Sequence, residues 1–175
     1  MTKRIFDIVF SCLGLIFLAP VLAVLAIIIK LDSKGPVLFI QPRVGLNNKD
    51  FNIFKFRTMQ MESDKKGLLT LGNKDSRITK VGYFLRRYKI DEFPQLLNIV
   101  IGDMSFVGPR PELRKYVNYY PQEDLSVLSV RPGITGLASI EFRNEVELLK
   151  AAKDPETYFI ESIIPEKLKL NKLYI

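Results

Sequence analysis

Two adjacent carboxylates, Asp91 and Glu92, lie in the stretch RRYKIDEFPQLLNIVIGDMSFVGPRP, which runs from Arg86 to Pro111 and puts cations on both sides of them. Arg86, Arg87 and Lys89 precede the pair, and Arg110 follows it, set between two prolines in Gly108-Pro109-Arg110-Pro111. Arginine forks match phosphate oxygens two at a time, and a carboxylate beside them can hold a divalent cation or attack phosphorus. The residue types therefore point to phosphoryl chemistry. Pro94 to Ile101 reads as a short helix with Asp91 as its N-cap and Gly102 as its terminator, so both carboxylates would sit at a helix end where an anion is also welcome. A plainer arrangement uses the same residues: Asp91 caps the helix, Glu92 complements its dipole and the arginines are solvated.

Composition narrows the chemistry further. The chain has 175 residues, enough for one domain with a sizeable core or for a small domain plus a membrane element. Its 26 Lys and Arg against 19 Asp and Glu leave a formal charge of +7, which favours an anionic partner: a phosphorylated substrate, acidic lipid or nucleic acid. The single cysteine, Cys12, sits in an apolar run, so no intrachain disulfide and no cysteine-based zinc site can form. There is no histidine. Catalysis would have to rest on carboxylates, lysine, tyrosine or a hard metal held by oxygen.

The elements that must carry these residues begin with an apolar run. From Ile8 to Ile29 the chain has 22 residues without a charge, flanked by Lys3, Arg4, Lys30 and Lys34. That is long and apolar enough for a transmembrane helix. Pro20 falls near its middle, however, and should kink the helix by removing a backbone hydrogen bond. Each half then reaches only ~18–22 Å, short of the ~30 Å hydrocarbon core, and positive charge at both ends removes any orienting asymmetry. A helix that dips in, bends at Pro20 and returns to the same face satisfies these observations. A kinked single-pass anchor is the other arrangement, and no small-x-small cleavage site marks a signal peptide.

Beyond Lys34-Gly35-Pro36 the chain turns water-facing. Val37 to Ile40 and Phe51 to Phe56 read as strands around the turn residues Gly45 to Lys49, with Lys55 and Arg57 on one face of the second strand where they could meet phosphate. Gln60 to Ser76 reads as a polar loop over whatever the domain binds. Arg77 to Tyr88 reads as a helix started by Asp75-Ser76, delivering Arg86 and Arg87 beside the carboxylates. Glu112 to Tyr120 has helical spacing, with tyrosines and cations that suit either a core-facing helix or a lipid interface. Arg131 to Gly136 reads as a rigid turn that could pass close to a ligand, and the tail carries an apolar stripe through Tyr158, Ile160, Ile163, Ile164, Leu168, Leu170, Leu173 and Ile175. No Walker A loop or Gly-x-Gly-x-x-Gly turn is present, and the basic residues do not form one stripe with interleaved aromatics, so nucleic-acid binding is not expected.

Taken together, Gly35-Pro36-Val37 with Phe39 and Gln41, Lys55-Phe56-Arg57-Thr58-Met59, Arg77-Ile78-Thr79, Ile90 to Leu96, Gly102 to Pro111 and Arg131 to Leu137 occur in order over most of the chain. In this combination the chain resembles the small monotopic phosphoglycosyl transferases, bacterial sugar transferases that begin capsule, O-antigen, exopolysaccharide and glycoprotein glycan assembly. The resemblance implies a re-entrant membrane helix, Mg²⁺, a UDP-sugar donor and a polyprenyl (undecaprenyl) phosphate acceptor at the cytoplasmic face of the inner membrane. Downstream glycosyltransferases would be its partners. It also implies that Asp91 attacks the phosphate next to the sugar, releasing UMP and leaving an aspartyl phosphosugar, with Glu92 as its partner in metal holding or proton transfer. Arg110, Arg86, Arg57 and Lys55 would meet substrate phosphates.

The departures from that pattern are local. Ala19 replaces the serine usual before Pro20, and Ala138 to Asn144 lack a glutamine and an Asn-Gly pair common in relatives. The chain ends at Ile175, short of a C-terminal segment many relatives carry, as a compact member or a truncated one would. The expected fold is α+β: a mostly helical monotopic membrane protein with a re-entrant helix over residues 1–31 and amphipathic interfacial helices. Residues 32–175 would form a catalytic domain with a small β-hairpin. The alternative from another class is a non-catalytic membrane-anchored scaffold that binds anionic lipid or a partner enzyme; it would need Asp91 only for folding.

Overall fold

The computed structural model describes residues 2–63 and 75–175, so most of the expected 60–76 loop lies outside the described residues. The chain packs as two compact units, one formed by Met1–Gln41 with Phe54–Val100 and the other by Pro42–Ile53 with Ile101–Ile175. Among the described residues it is mostly helical with two small two-stranded sheets, an α+β arrangement.

In the first unit the apolar run folds as one helix, α1 (Thr2–Asp32), with Pro20 inside it. At ~1.5 Å per residue it is roughly 46 Å long, ample to reach across a hydrocarbon core. Its outward positions are apolar: Ile16 is 68% exposed, Phe17 76% and Leu31 82%. Such a surface is stable in lipid and not in water, so α1 is a membrane-associating element, consistent with a monotopic protein. Its inward positions bind the unit along the whole helix. Arg4 donates to the carbonyls of Ile99 (2.6 Å) and Val100 (3.0 Å). Gly14 approaches Leu96 so closely that a Cβ there would lie 3.2 Å from its Cδ1. Ile29 packs in a core with Phe56 and Leu85, bordered by Leu22, Leu25, Val37, Leu38, Val81 and Ile90.

The far end of α1 is closed by Arg57. Its buried guanidinium donates to the carbonyls of Ile29 (3.3 Å), Ser33 (2.7 Å) and Lys34. The last carbonyls of a helix have no partner within it, and a cation at that end also suits the macrodipole. Gly35 follows at φ +126°, and a Cβ there would overlap the Arg57 fork at 2.0 Å, so only glycine can turn the chain past its own cap.

Strand β1 (Leu38–Val44) pairs with β2 (Asp50–Phe56). Both run longer than the alternation in sequence implied, and Asn47 and Asn48 take positive φ in the turn between them. Helix α2 (Lys80–Arg87) is shorter than the expected 77–88 span. Asp75 is engaged by the Arg77 backbone and guanidinium at 2.6–3.1 Å, and Ile78 bridges Met59, so the helix starts only at Thr79, whose hydroxyl caps Gly82 N–H (2.9 Å). Helix α3 (Gln95–Ile101) ends at Gly102, which takes φ +109° as the terminator expected there.

The second unit pins its backbone differently. Arg131 to Gly136, expected to be a turn near a ligand, contains a strand, β4 (Gly133–Thr135), parallel to β3 (Ser105–Val107). Backbone bonds of 2.9 Å join Ser105 to Pro132, Gly108 to Thr135 and Gly133 to Pro109. A Cβ on Gly133 would lie 2.2 Å from Gly108 N, so the motif's glycines allow strand contact. The expected helix over 112–120 shrinks to α4 (Arg114–Val117), whose Tyr116 stacks edge-on with Phe159 at 4.8 Å. Then come α5 (Leu137–Glu141), α6 (Glu145–Ala151) and α7 (Pro155–Tyr158); a π-helical turn at Phe159–Ile163 leads into α8 (Ile164–Lys172). Of the expected stripe, Ile163, Ile164 and Leu168 are buried, whereas Leu173 and Ile175 are exposed.

Gly82 tests the packing of α2. A Cβ at this position would lie 2.1 Å from the Thr58 carbonyl oxygen, a backbone atom that cannot swing aside. Gly82→Ala is expected to cost roughly 3 kcal/mol in denaturant unfolding despite alanine's better helix propensity. A loss at the ~0.5 kcal/mol scale of a surface substitution would show that the two backbones do not touch.

Candidate functional site

Lys89 closes α2 in the left-handed region at φ 58°, and the chain re-enters a tight turn over Ile90–Glu92 before α3. Bonds from Glu92 N to Lys89 O and from Phe93 N to Ile90 O, both 3.2 Å, wind this segment three residues per turn. Asp91 is therefore not the N-cap expected of it. It lies inside the preceding turn, and its Oδ1 finds no hydrogen-bond partner among the described residues.

Both carboxylates are buried, Asp91 at 7% exposure and Glu92 at 8%. Burying charge is costly unless it is paired, and Glu92 is paired: Lys55 Nζ on β2 lies 3.1 Å from its Oε1. The strand is held in register for this by α3, where the fully buried Asn98 accepts the Phe54 N–H at 3.0 Å. Among the described residues, Asp91 has no such salt bridge. Burial pushes its carboxyl above the ordinary value; Lys55, Arg86 and Lys89 pull it back down, and the neighbouring Glu92 adds to the rise.

The first unit thus brings together Asp91, Glu92, Lys55 and Arg86. Arg57 belongs to the same unit; its Nη1 and Nη2 donate where α1 ends, and its buried Nε has no hydrogen-bond partner among the described residues. Arg110 belongs to the second unit, on the loop pinned by β3 and β4, with Nη1 3.5 Å from the Ile134 carbonyl. The small cavity it borders there is about 10 Å³, room for about one water. The two buried amides of α3, Gln95 and Asn98, carried a signal that went unread: polar residues three apart in the otherwise apolar run Pro94 to Ile101.

No group of three or more metal-ligating side chains occurs among the described residues, so a closed protein cage for a metal is not formed there. The donor set does fit Mg²⁺, which takes one or two carboxylates and completes its shell with water and substrate phosphate. Asp91 Oδ1, buried without a hydrogen-bond partner, is the kind of oxygen a cation satisfies.

The first unit thus joins a membrane-associating apolar helix to buried carboxylates among cations, in a chain without histidine. The family model described as bacterial sugar transferase matches residues 1–172, and the chain belongs to that family. It is 46% identical over 147 residues to an undecaprenyl-phosphate glucose phosphotransferase of Komagataeibacter xylinus, covering 80% of this chain and 28% of the relative. It is 42% identical over 141 residues to a UDP-N-acetylgalactosamine-undecaprenyl-phosphate N-acetylgalactosaminephosphotransferase of Aeromonas hydrophila, covering 79% of this chain and 33% of the relative. A third relative, the uncharacterized sugar transferase EpsL of Bacillus subtilis (strain 168), is 41% identical over 144 residues, 82% of this chain and 70% of its own length. The chain thus spans about a third or less of the first two relatives.

Because the folded protein holds the Asp91 proton more tightly than the unfolded chain, stability on this account is highest below the ordinary carboxyl pKa. It falls as pH rises through the raised folded value. In chelator-containing buffer, Asp91→Asn is therefore expected to unfold at a higher temperature than wild type at pH 7. That advantage should shrink as pH drops toward ~4. A variant that melts lower at pH 7, with the deficit vanishing in acid, would reverse the sign.

Proposed function

We propose that the protein transfers a sugar 1-phosphate from a UDP-sugar to polyprenyl phosphate, releasing UMP, as the first membrane step of a bacterial glycan. The observation that carries this reading is the Asp91 carboxylate, withdrawn from water with one oxygen unpartnered, beside a Glu92 already neutralised by Lys55. The printed activities of the Komagataeibacter and Aeromonas relatives support the donor and acceptor classes, and their different sugars leave the sugar itself open.

In this reading an Asp91 oxygen attacks the phosphorus next to the sugar. An O–P bond forms as the P–O bond to UMP breaks, and UMP leaves as an anion that needs no proton. The lipid phosphate then attacks the same phosphorus, the Asp91–phosphorus bond breaks, and the carboxylate is regenerated. An anion attacking an anion is opposed by repulsion, which Arg86 and Lys55 offset at this site. Mg²⁺, held through Asp91 and Glu92 when bound, would withdraw charge from the diphosphate. Burial serves the chemistry, since a poorly hydrated carboxylate is a better nucleophile and water is kept from the acyl phosphate. Arg57 acts indirectly, by fixing the end of α1.

We also assign α1 to one leaflet of the inner membrane, entering and leaving on the cytoplasmic side with Pro20 as the site of its bend. The support is that Arg4 near its start and Arg57 at its end both tie it to the same unit. A helix crossing the bilayer would carry one of those ends to the other side.

Two experiments follow. Labelled UMP should exchange into UDP-sugar without any polyprenyl phosphate, given Mg²⁺, and Asp91→Asn should abolish the exchange while keeping fold and membrane binding. Wild-type protein that makes product and never exchanges would exclude the covalent route. In a Cys12-free background, cysteines at positions 2 and 33 should both react with an impermeant reagent from the cytoplasmic side; periplasmic labelling of position 2 would make α1 a spanning helix.

A further inference from the structure

Gln95 is 1% exposed, and neither its Oε1 nor its Nε2 has a hydrogen-bond partner among the described residues. A buried primary amide with both ends unmade is destabilising, because its lost hydration is not replaced. The contrast with Asn98 on the same helix is informative: that amide, equally buried, is bonded to the Phe54 backbone. Gln95 opens α3 four residues beyond Asp91, and Asp91 Oδ1 is the other unpartnered oxygen in this segment. Both groups lie in one short stretch of the first unit, four residues apart in sequence, and the strands and helices described around them answer neither.

We propose that Gln95 is a substrate-contacting residue that binds the phosphosugar as it is delivered to Asp91. The inference rests on the transfer reading given above. The amide N–H suits a phosphoryl oxygen, which only accepts, and the amide oxygen suits a sugar hydroxyl, which can donate. Neither Lys55 nor Arg86 offers that second capacity, since both are donors only. Gln95 would therefore add contact with the sugar to a site otherwise built of charge, and the desolvation it endures without substrate would be relieved when the phosphosugar arrives.

Gln95→Met keeps the side-chain length and removes both polar ends. Without substrate, its thermal midpoint in detergent should equal or exceed that of wild type, because an unanswered amide has been replaced by an apolar group. Turnover of UDP-sugar and polyprenyl phosphate to lipid-linked product should fall about tenfold or more, the scale of one hydrogen bond to a charged group. Opposite changes in stability and turnover are what a merely structural glutamine would not give. A Met variant that fails to fold or melts lower, with Gln95→Leu doing the same, would make Gln95 a structural residue and overturn the proposal. So would wild-type turnover in a well-folded Met variant. Wild-type protein that makes no product at all would instead sink the transfer reading, and this inference with it.

Discussion

A carboxylate can be kept out of water only if something nearby makes its charge tolerable, and the first unit is arranged around that constraint at Asp91 and Glu92. Glu92 is answered directly by Lys55, and Asp91 only at longer range by Lys55, Arg86 and Lys89. The difference between the two is chemically useful. A carboxylate locked in a salt bridge is a poor nucleophile, while one with an unpartnered oxygen keeps a lone pair for phosphorus or a cation. Lys55 can serve the pair only while β2 stays in register with α3, which is why an amide as buried as Asn98 spends its acceptor on the Phe54 backbone. Polar groups inside α3 are thus part of the electrostatics of the site.

Much of this was legible in the sequence. The apolar run, the Asp91-Glu92 pair, the small hairpin and the glycine that ends α3 all follow from residue type and spacing, because each is a local preference. Position within a turn was not legible. Asp91 has the composition of an N-cap, and it fails to cap because Lys89 adopts a left-handed conformation and Ile90 to Glu92 wind three to a turn, a choice set by how α2 hands over to α3. Arg131 to Gly136 was misread for a related reason. Glycines that look like turn formers are there because β3 and β4 run so close that a Cβ would strike the Gly108 backbone. That is a contact between segments about 25 residues apart, which no local pattern announces.

The arginines show the same limit for function. Arg57 and Arg86 are indistinguishable by type, and both fall beside motifs suited to phosphate. Only their neighbours separate them: Arg57 is surrounded by the carbonyls of Ile29, Ser33 and Lys34, whereas Arg86 is felt electrostatically by Asp91 and Asp75. A guanidinium has five donors and no acceptor, so wherever a helix ends without a cap it competes with any phosphate for the same fork. A charge of +7 therefore overstates the cations available to an anionic ligand.

That competition is sharpened by the membrane. A helix end at a lipid interface has fewer waters to satisfy its last carbonyls, and each one left unmade is expensive. Among the described residues arginine serves this at two places: Arg4 of α1 donates to the carbonyls of Ile99 and Val100 at the end of α3, and Arg57, just past β2, donates to those of Ile29, Ser33 and Lys34 where α1 ends. The start of α1 is thereby joined to the end of α3, the helix that follows the carboxylates, by charge-assisted bonds, and Gly14 packs against Leu96 further along. A shift of α1 relative to its unit would break bonds at both termini, so the apolar surface of α1 is tied to the unit that carries Asp91. In the proposed reaction, where Asp91 meets a phosphate on a lipid, Arg4 and Arg57 would hold the unit that carries the carboxylate at a fixed place along α1.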